Sequence, residues 1–299
     1  MGAGVIVDVH THLFWYPEYL GEDLVREALA AKLVKIEQSG GRAYAKSLDL
    51  HSNDARPDDH WKATSDADRV IVFGLRAKAT GYAMSNDVVA DYVRQHPEKL
   101  EGWASIDPTD EDCVEQLRYC VDELGLRGLK VGPTYQHFDP RDPAYWPIFA
   151  ECERRDLPVM VHMGTTFPST ARLEYASPLL LERLAMAHPR LRMIMAHLGH
   201  PWEEDAIALV RKTPNLYADI SALHFRPWRF WQALTTAAEY GVTYKLLLGS
   251  DFPNGTTRDA IDGLRSVNKI VDGTALPKFP QDAQDAIVHE NWKRFFRES

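Results

Sequence analysis

Short apolar runs of strand length recur along the chain, separated by amphipathic stretches of helical length. The runs are VIVDV (5–9), RVIVFG (69–74), EGWASID (101–107) and LRGLKVG (126–132), then LPVMVHMG (157–164), RMIMAHLG (192–199), LYADISA (216–222) and KLLLGSD (245–251). Most are continuous rather than alternating, the mark of strands buried on both faces of a parallel sheet. Between them, NDVVADYVRQHP (86–97) sets Val88, Val89, Tyr92 and Val93 on one stripe and closes at Pro97. EDCVEQLRYCVDELG (111–125) aligns Val114, Leu117, Val121 and Leu124 and stops at Gly125, a residue type favoured just past a helix end. SPLLLERLAMAHP, PWEEDAIALVRKTP and FPQDAQDAIVHENWKRFF read the same way. Strand then helix, eight times over, predicts an α/β chain folded as a (β/α)8 TIM-like barrel. No phosphate-binding glycine loop follows the first run, which weighs against an open doubly wound sheet.

One stretch breaks the rhythm. Residues 14–68 are far more than a βα connection needs. They hold a helical piece, LVREALAAKLVKIEQ, and a polar run, LHSNDARPDDHWKATSDAD. With no linker or repeat in sight, we read residues 1–299 as a single domain and 14–68 as an insertion over the barrel mouth.

Composition narrows the partners. The formal net charge of -9 argues against nucleic acid and anionic membranes, both of which need basic patches. Cys113, Cys120 and Cys152 show no metal-ligand spacing, and so sparse a count fits a reducing compartment. Neither a signal-peptide pattern at the N-terminus nor an apolar run of membrane-spanning length is present. The expectation is a cytoplasmic protein acting on a small molecule.

The ends of the predicted strands carry the chemistry, because function in such barrels sits at the C-terminal rim. The first run leads to His10 and His12, which alternate onto one face of a strand. The fourth carries Lys130, the fifth leads to His162, the sixth to His197 and His200, and the eighth to Asp251. Each alone has a plain structural reading: a histidine capping a loop carbonyl, or an aspartate opening a turn before Pro253. Together at the ends of the first, fifth, sixth and eighth runs, three histidines and a carboxylate suit one divalent ion. Zinc leads, with manganese, iron or cobalt also accommodated by N and O donors. Near the same mouth, Trp15, Trp202 and Arg226 point to a pocket for a planar, carboxylated substrate. Lys130 and His200 are placed to bind it too.

The motifs DVHTH (8–12), GLKVGP (128–133), VHMG (161–164), AHLGHPW (196–202) and GSDFP (249–253), with the terminal IVHENWKRFF, occur in this order across nearly the whole chain. In this the sequence resembles the amidohydrolase-related family of the amidohydrolase superfamily. That branch includes aminocarboxymuconate semialdehyde decarboxylase and resorcylate decarboxylase. The resemblance implies a distorted barrel with one divalent metal held by His10, His12, His162 and Asp251. It also implies that His197 acts on bound water or substrate, or joins a second metal. A homodimer follows by the same analogy. Asp251 and His197 are the catalytic candidates. The expected activity is metal-dependent hydrolysis of an amide, ester, lactone or β-keto C–C bond, towards which AHLGHPW tilts the reading. The alternative on the same residues is non-oxidative decarboxylation of an aromatic or unsaturated acid.

Overall fold

A computed structural model describes residues 4–38 and 47–298. Residues 39–46 of the long insertion, and the first three residues of the N-terminus, lie outside the described residues. The strands are β1 (Val7–His12), β2 (Arg69–Phe73), β3 (Leu100–Gly102 and Ala104–Ser105) and β4 (Leu129–Val131). They continue as β5 (Val159–Val161), β6 (Met193–Met195), β7 (Leu216–Asp219) and β8 (Leu246–Leu247). In the barrel wall neighbouring strands run parallel, β1 through β8 in chain order, and a short antiparallel pair, Arg76–Ala77 with Tyr82–Ala83, lies outside it. β3 is split at Trp103, its first half pairing with β2 and its second with β4. The wall closes where Val9 N donates to Leu248 O at 3.0 Å, Asp251 N donates to His10 O at 2.8 Å, and Thr11 bridges Phe252. The fold is the expected (β/α)8 barrel.

A helix follows each strand. α1 (Glu22–Gln38) and α2 (Pro57–Ala63) lie in the insertion after β1. α3 (Asn86–Gln95), α4 (Cys113–Asp122), α5 (Trp146–Arg154) and α6 (Leu181–Ala187) follow β2 to β5. α7 (Glu203–Lys212), α8 (Pro227–Glu239) and α9 (Thr257–Arg265) follow β6 to β8, and α10 (Gln281–His289) and α11 (Asn291–Phe296) end the chain. The polar run at 50–68 thus contains a helix that a loop reading passes over, although Pro57 at its start and Asp58 and Asp59 in its first turn are regular start signals. No helix among the described residues is long and apolar enough to cross a membrane.

Two apolar layers hold the wall. Alternate strand residues Ile71, Phe73, Met160, Ile194 and Leu247 point inward and pack with Trp103, and Trp292 and Phe295 join the same cluster. Burying each aliphatic side chain of this size contributes about 1.5–3 kcal/mol. The other phase of each strand faces the helices. Cys113, Cys120 and Cys152 are free, buried members of that outer layer.

β1 departs from simple alternation in a way that matters. Val7 and Val9 belong to the inner cluster, so strict alternation would turn His10 and His12 outward. A register shift between Asp8 and Thr11 resets the phase. Both imidazoles then face inward against Phe73, with ring centroids 5.3 and 4.9 Å away. Such a bulge re-aims side chains beside functional sites.

Candidate metal centre

Three donor atoms converge at the rim. His10 Nε2 and His12 Nε2 lie 3.2 Å apart, and Asp251 Oδ1 is 3.4 Å from each. A triangle with these edges has its corners about 1.9 Å from its centre, close to the ~2.0–2.2 Å of Zn–N and Zn–O bonds. Burial keeps the two imidazoles neutral: it pushes His10 down to about 4, with Lys130 adding to the effect, and lowers His12 likewise. Burial works against ionisation of Asp251, but the neighbouring His197, His12 and His10 hold its carboxyl well below the usual range. Two lone pairs and an anion aimed at one point repel one another, and a cation removes that repulsion. The donor set fits a divalent metal ion.

Behind the triangle stands Asp219, at the end of β7, which strand-end reasoning had passed over. Its Oδ2 lies 2.8 Å from His10 Nδ1. Its Oδ1 accepts from the backbone N–H groups of His197 and Ser221, both at 3.0 Å, and from Ser221 Oγ at 2.5 Å. Since Ser221 gives its proton to Asp219, its oxygen accepts from His197 Nδ1 at 2.8 Å. One carboxylate therefore sets two tautomers: Nδ1 carries the proton on both His10 and His197, and Nε2 is left bare on each. Burial opposes the charge on Asp219, but His10 and the Ser221 hydroxyl hold its carboxyl below the usual range. Orientation of a metal-ligand imidazole by a carboxylate is a recurrent device.

The fourth expected ligand stands slightly apart. His162 lines the same cavity, and its ring centroid is 5.0 Å from that of His197, but it is outside the tight triangle formed by His10, His12 and Asp251. Its Nε2 is buried with no hydrogen-bond partner, a donor facing the cavity and free to complete a coordination shell. His10, His197 and Asp219 form a second close group, although His10 and His197 turn their Nδ1 atoms toward Asp219 and Ser221. Lys130 Nζ lies 3.3 Å from His10 Nε2 and 4.8 Å from the Phe73 ring centroid. Burial lowers the ammonium to about 8. An ion taking the lone pair of His10 requires Lys130 to turn aside or lose its proton.

The cavity above the triangle is about 190 Å³ in volume. Its apolar wall is Phe14, Leu75, Tyr82, Tyr135 and Phe167, and Lys130, His197, His200, Arg226 and Lys35 also line it. Two expected binding residues are elsewhere. Trp15 stands edge-on to Tyr19, centroids 4.7 Å apart, and stacks with Arg56. Trp202 faces a separate groove with Glu203 and Arg229. Both sit on loops, where no periodicity fixes which way a ring points. His224, just past β7, is buried under Gly255 and Gly263 rather than in the mouth.

Backbone strain gathers at this rim. His197, Leu198, Ala222 and Asp251 all have positive φ, at 56, 45, 59 and 58°, each costing about 1–3 kcal/mol and persisting only because its surroundings enforce it. Gly249 gives the room: a Cβ there would lie 2.9 Å from His10 Cβ and 3.2 Å from Ser221 Cβ.

A parallel barrel with buried neutral histidines and an aspartate converging at its C-terminal rim defines a metal-dependent enzyme. A family model, Amidohydro_2 (Amidohydrolase), matches residues 7–297, and the chain belongs to that family. Over 146 residues it is 30% identical to a gamma-resorcylate decarboxylase of Rhodococcus jostii (strain RHA1), covering 38% of this chain and 44% of that protein. Over 197 residues it is 26% identical to a 2-amino-3-carboxymuconate-6-semialdehyde decarboxylase of Dictyostelium discoideum, covering 56% and 55%. The matches thus span about half the length of these relatives. Among solved structures, an uncharacterised TIM-barrel protein of Bordetella bronchiseptica aligns with TM-score 0.70 and 19% identity over 98% of both chains. Two further barrels carry metals. An amidohydrolase of Burkholderia multivorans has bound zinc (TM-score 0.65, 13% identity, 99% of this chain and 100% of that one). A dihydroxybenzoic acid decarboxylase of Polaromonas has bound manganese (TM-score 0.65, 17% identity, 98% and 97%).

Proposed function

We propose that the protein is a metal-dependent, non-oxidative decarboxylase of a small planar acid. The observation that carries this reading is the wall facing the donor triangle. Phe14, Leu75, Tyr82, Tyr135 and Phe167 replace water around whatever is held there. A carboxylate pressed against such a wall loses hydration that neutral carbon dioxide does not need, so the wall favours the leaving state. The names of the sequence relatives support the same reaction.

His10, His12 and Asp251 would hold the ion, with His162 beside them; zinc is the leading candidate and manganese, iron or cobalt the others. An ion held there supplies a Lewis acid for the substrate carboxylate or its neighbouring oxygen. The chain's own residues manage the proton. When the C–C bond breaks, its electron pair stays on the ring or alkene carbon, which must then receive one proton. His197 Nε2 faces the cavity, and once protonated it is an imidazolium whose Nδ1–H runs through Ser221 to the Asp219 carboxylate. That chain stabilises the charge until the proton is given to carbon. Lys130, which lines the same cavity, would hold a substrate oxygen.

One feature favours hydrolysis as a second reading. Burial pushes His197 down to about 4, so at neutral pH it rests as a proton acceptor, ready for a water proton rather than charged to give one. The two reactions separate cleanly in labelled solvent. Metal-loaded protein incubated with hydroxybenzoates, β-keto acids and lactones is expected to release carbon dioxide from one of the acids. The product should carry one solvent deuteron at the vacated carbon and no oxygen from water. Water oxygen in a product carboxylate, without gas release, would overturn decarboxylation in favour of hydrolysis.

A further inference from the structure

The cavity has a second charged end. Lys35 on α1 and Arg226 at the start of α8 both line it and flank one ring. Lys35 Nζ is 5.6 Å and the Arg226 guanidinium carbon 4.5 Å from the Phe225 centroid. Among the described residues neither is ion-paired with a carboxylate. Lys35 Nζ donates to Asn254 Oδ1 at 3.2 Å, and Arg226 donates to Ala222 O. Both are half-buried, and this burial lowers each below its ordinary value, with Arg226 further lowering Lys35. Asp251 offsets part of this for both cations, and Glu203 for Arg226, but neither carboxylate pairs with them directly. Two like charges held side by side are better matched when an anion arrives with the ligand.

The distance between the two ends is set by one side chain. Asn254 Nδ2 donates to Asp251 Oδ2 at 2.9 Å, while Asn254 Oδ1 accepts from Lys35. A single carboxamide thus spans from the metal-ligand carboxylate to the second cation. A cavity of 150 Å³ accepts benzene, so one of about 190 Å³ takes one ring with small substituents. We infer that the substrate carries two acidic groups on one planar frame, the first at the His10–His12–Asp251 end and the second between Lys35 and Arg226. This deepens the proposed function, which leaves the substrate only as a planar acid, and it rests on that reading for the occupant of the metal end.

Binding without turnover tests it. Zinc-loaded protein is titrated calorimetrically with benzoate and with benzene-1,3- and benzene-1,4-dicarboxylate, alongside Lys35→Met and Arg226→Met, which keep the aliphatic stems. At least one dicarboxylate is expected to bind wild type ten-fold or more tightly than benzoate. Each variant should lose that advantage while keeping its benzoate affinity, zinc content and melting temperature, and Arg226→Lys should recover part of it. Equal affinity of wild type for mono- and dicarboxylates overturns the inference. So do variants that keep the preference, or that lose benzoate and dicarboxylate alike. Failure to release carbon dioxide would count against the decarboxylase reading and leave this binding result standing.

Discussion

Asp219→Asn tests the centre through a residue that would touch neither metal nor substrate. Oδ1 of Asp219 accepts from the His197 and Ser221 amides and the Ser221 hydroxyl, so an asparagine must place its one carbonyl oxygen there. Its NH2 group then faces His10 Nδ1, donor against donor. The imidazole resolves the conflict by moving its proton to Nε2 and accepting at Nδ1, which aims an N–H at the point where a lone pair is needed. The lost bond is 2.8 Å long and charge-assisted, a class worth about 1.5–3 kcal/mol. Converted to affinity, that is about 10–150-fold, and outer-shell partners elsewhere cost about 10–100-fold in metal binding. We therefore expect zinc affinity, measured by competition with a chromophoric chelator, to fall about 10–100-fold. Nitrogen NMR of the metal-free variant should show the His10 proton on Nε2 instead of Nδ1. Wild-type affinity with the proton still on Nδ1 would refute the tautomer argument.

Three other outcomes follow from the same coordinates. Ser221→Ala breaks the relay to His197 but leaves the direct Asp219–His10 bond, so turnover should drop about 10–100-fold while zinc affinity stays near wild type. Gly249→Ala drives a methyl group against His10 and Ser221; the fold should lose about 1–3 kcal/mol, read in urea, and zinc should bind more weakly. His60 is pushed down to about 3, chiefly by burial. A histidine depressed in the fold contributes stability that is present above its unfolded value and lost as pH falls toward the folded one. From about pH 8 to about pH 5 this one group should remove roughly 2 kcal/mol, and His60→Gln, though less stable at high pH, should show a shallower decline in urea midpoint.

The barrel and most of its metal end were legible because both obey periodicity. Strands buried on two faces read as continuous apolar runs, and their last residues must emerge at one rim, which is how His10, His12, His162, His197 and Asp251 are found together. Asp219 and Ser221 obeyed the same rule but were missed. Within LYADISA the strand itself ends at Asp219, in phase with Tyr217, which packs against the inner cluster, with Ser221 two residues on, and asking what polar residue ends every strand would have found both. The bulge in β1 was not legible, since VDVHTH carries no break in its own pattern and the shift shows only in its pairing with β2. Nor was the role of Lys35: LVREALAAKLVKIEQ shows Lys32 and Lys35 one helical turn apart, but only docking of α1 decides that they face inward. Trp15 and Trp202 failed for the opposite reason, their chemistry being suggestive and their loops without phase.

The two ends of the cavity are held by different physics. At the metal end, His10, His12 and Asp251 lie on or beside strands locked by the parallel ladder, and their backbone positions are tied by Asp251 N to His10 O and by the Thr11–Phe252 bridge. Ladder geometry tolerates little drift, which suits donors that must meet within tenths of an ångström. At the far end, Lys35 is carried by α1, which is not part of the barrel wall. Its N-terminal half packs Leu24 and Val25 into the outer apolar layer and buries Ala28. Hydrogen bonds add to this: Lys32 Nζ donates to Ser52 O at 2.6 Å and to Pro253 O at 3.5 Å, and Glu27 accepts from Ser169 N at 2.6 Å. Changes along α1 can therefore move or replace the second cation without disturbing a strand, whereas any change that shifts β1 moves two metal-end histidines at once. On this reading the metal end is tied to the barrel strands, while the far end is shared between the inserted helix, through Lys35, and the start of α8, through Arg226.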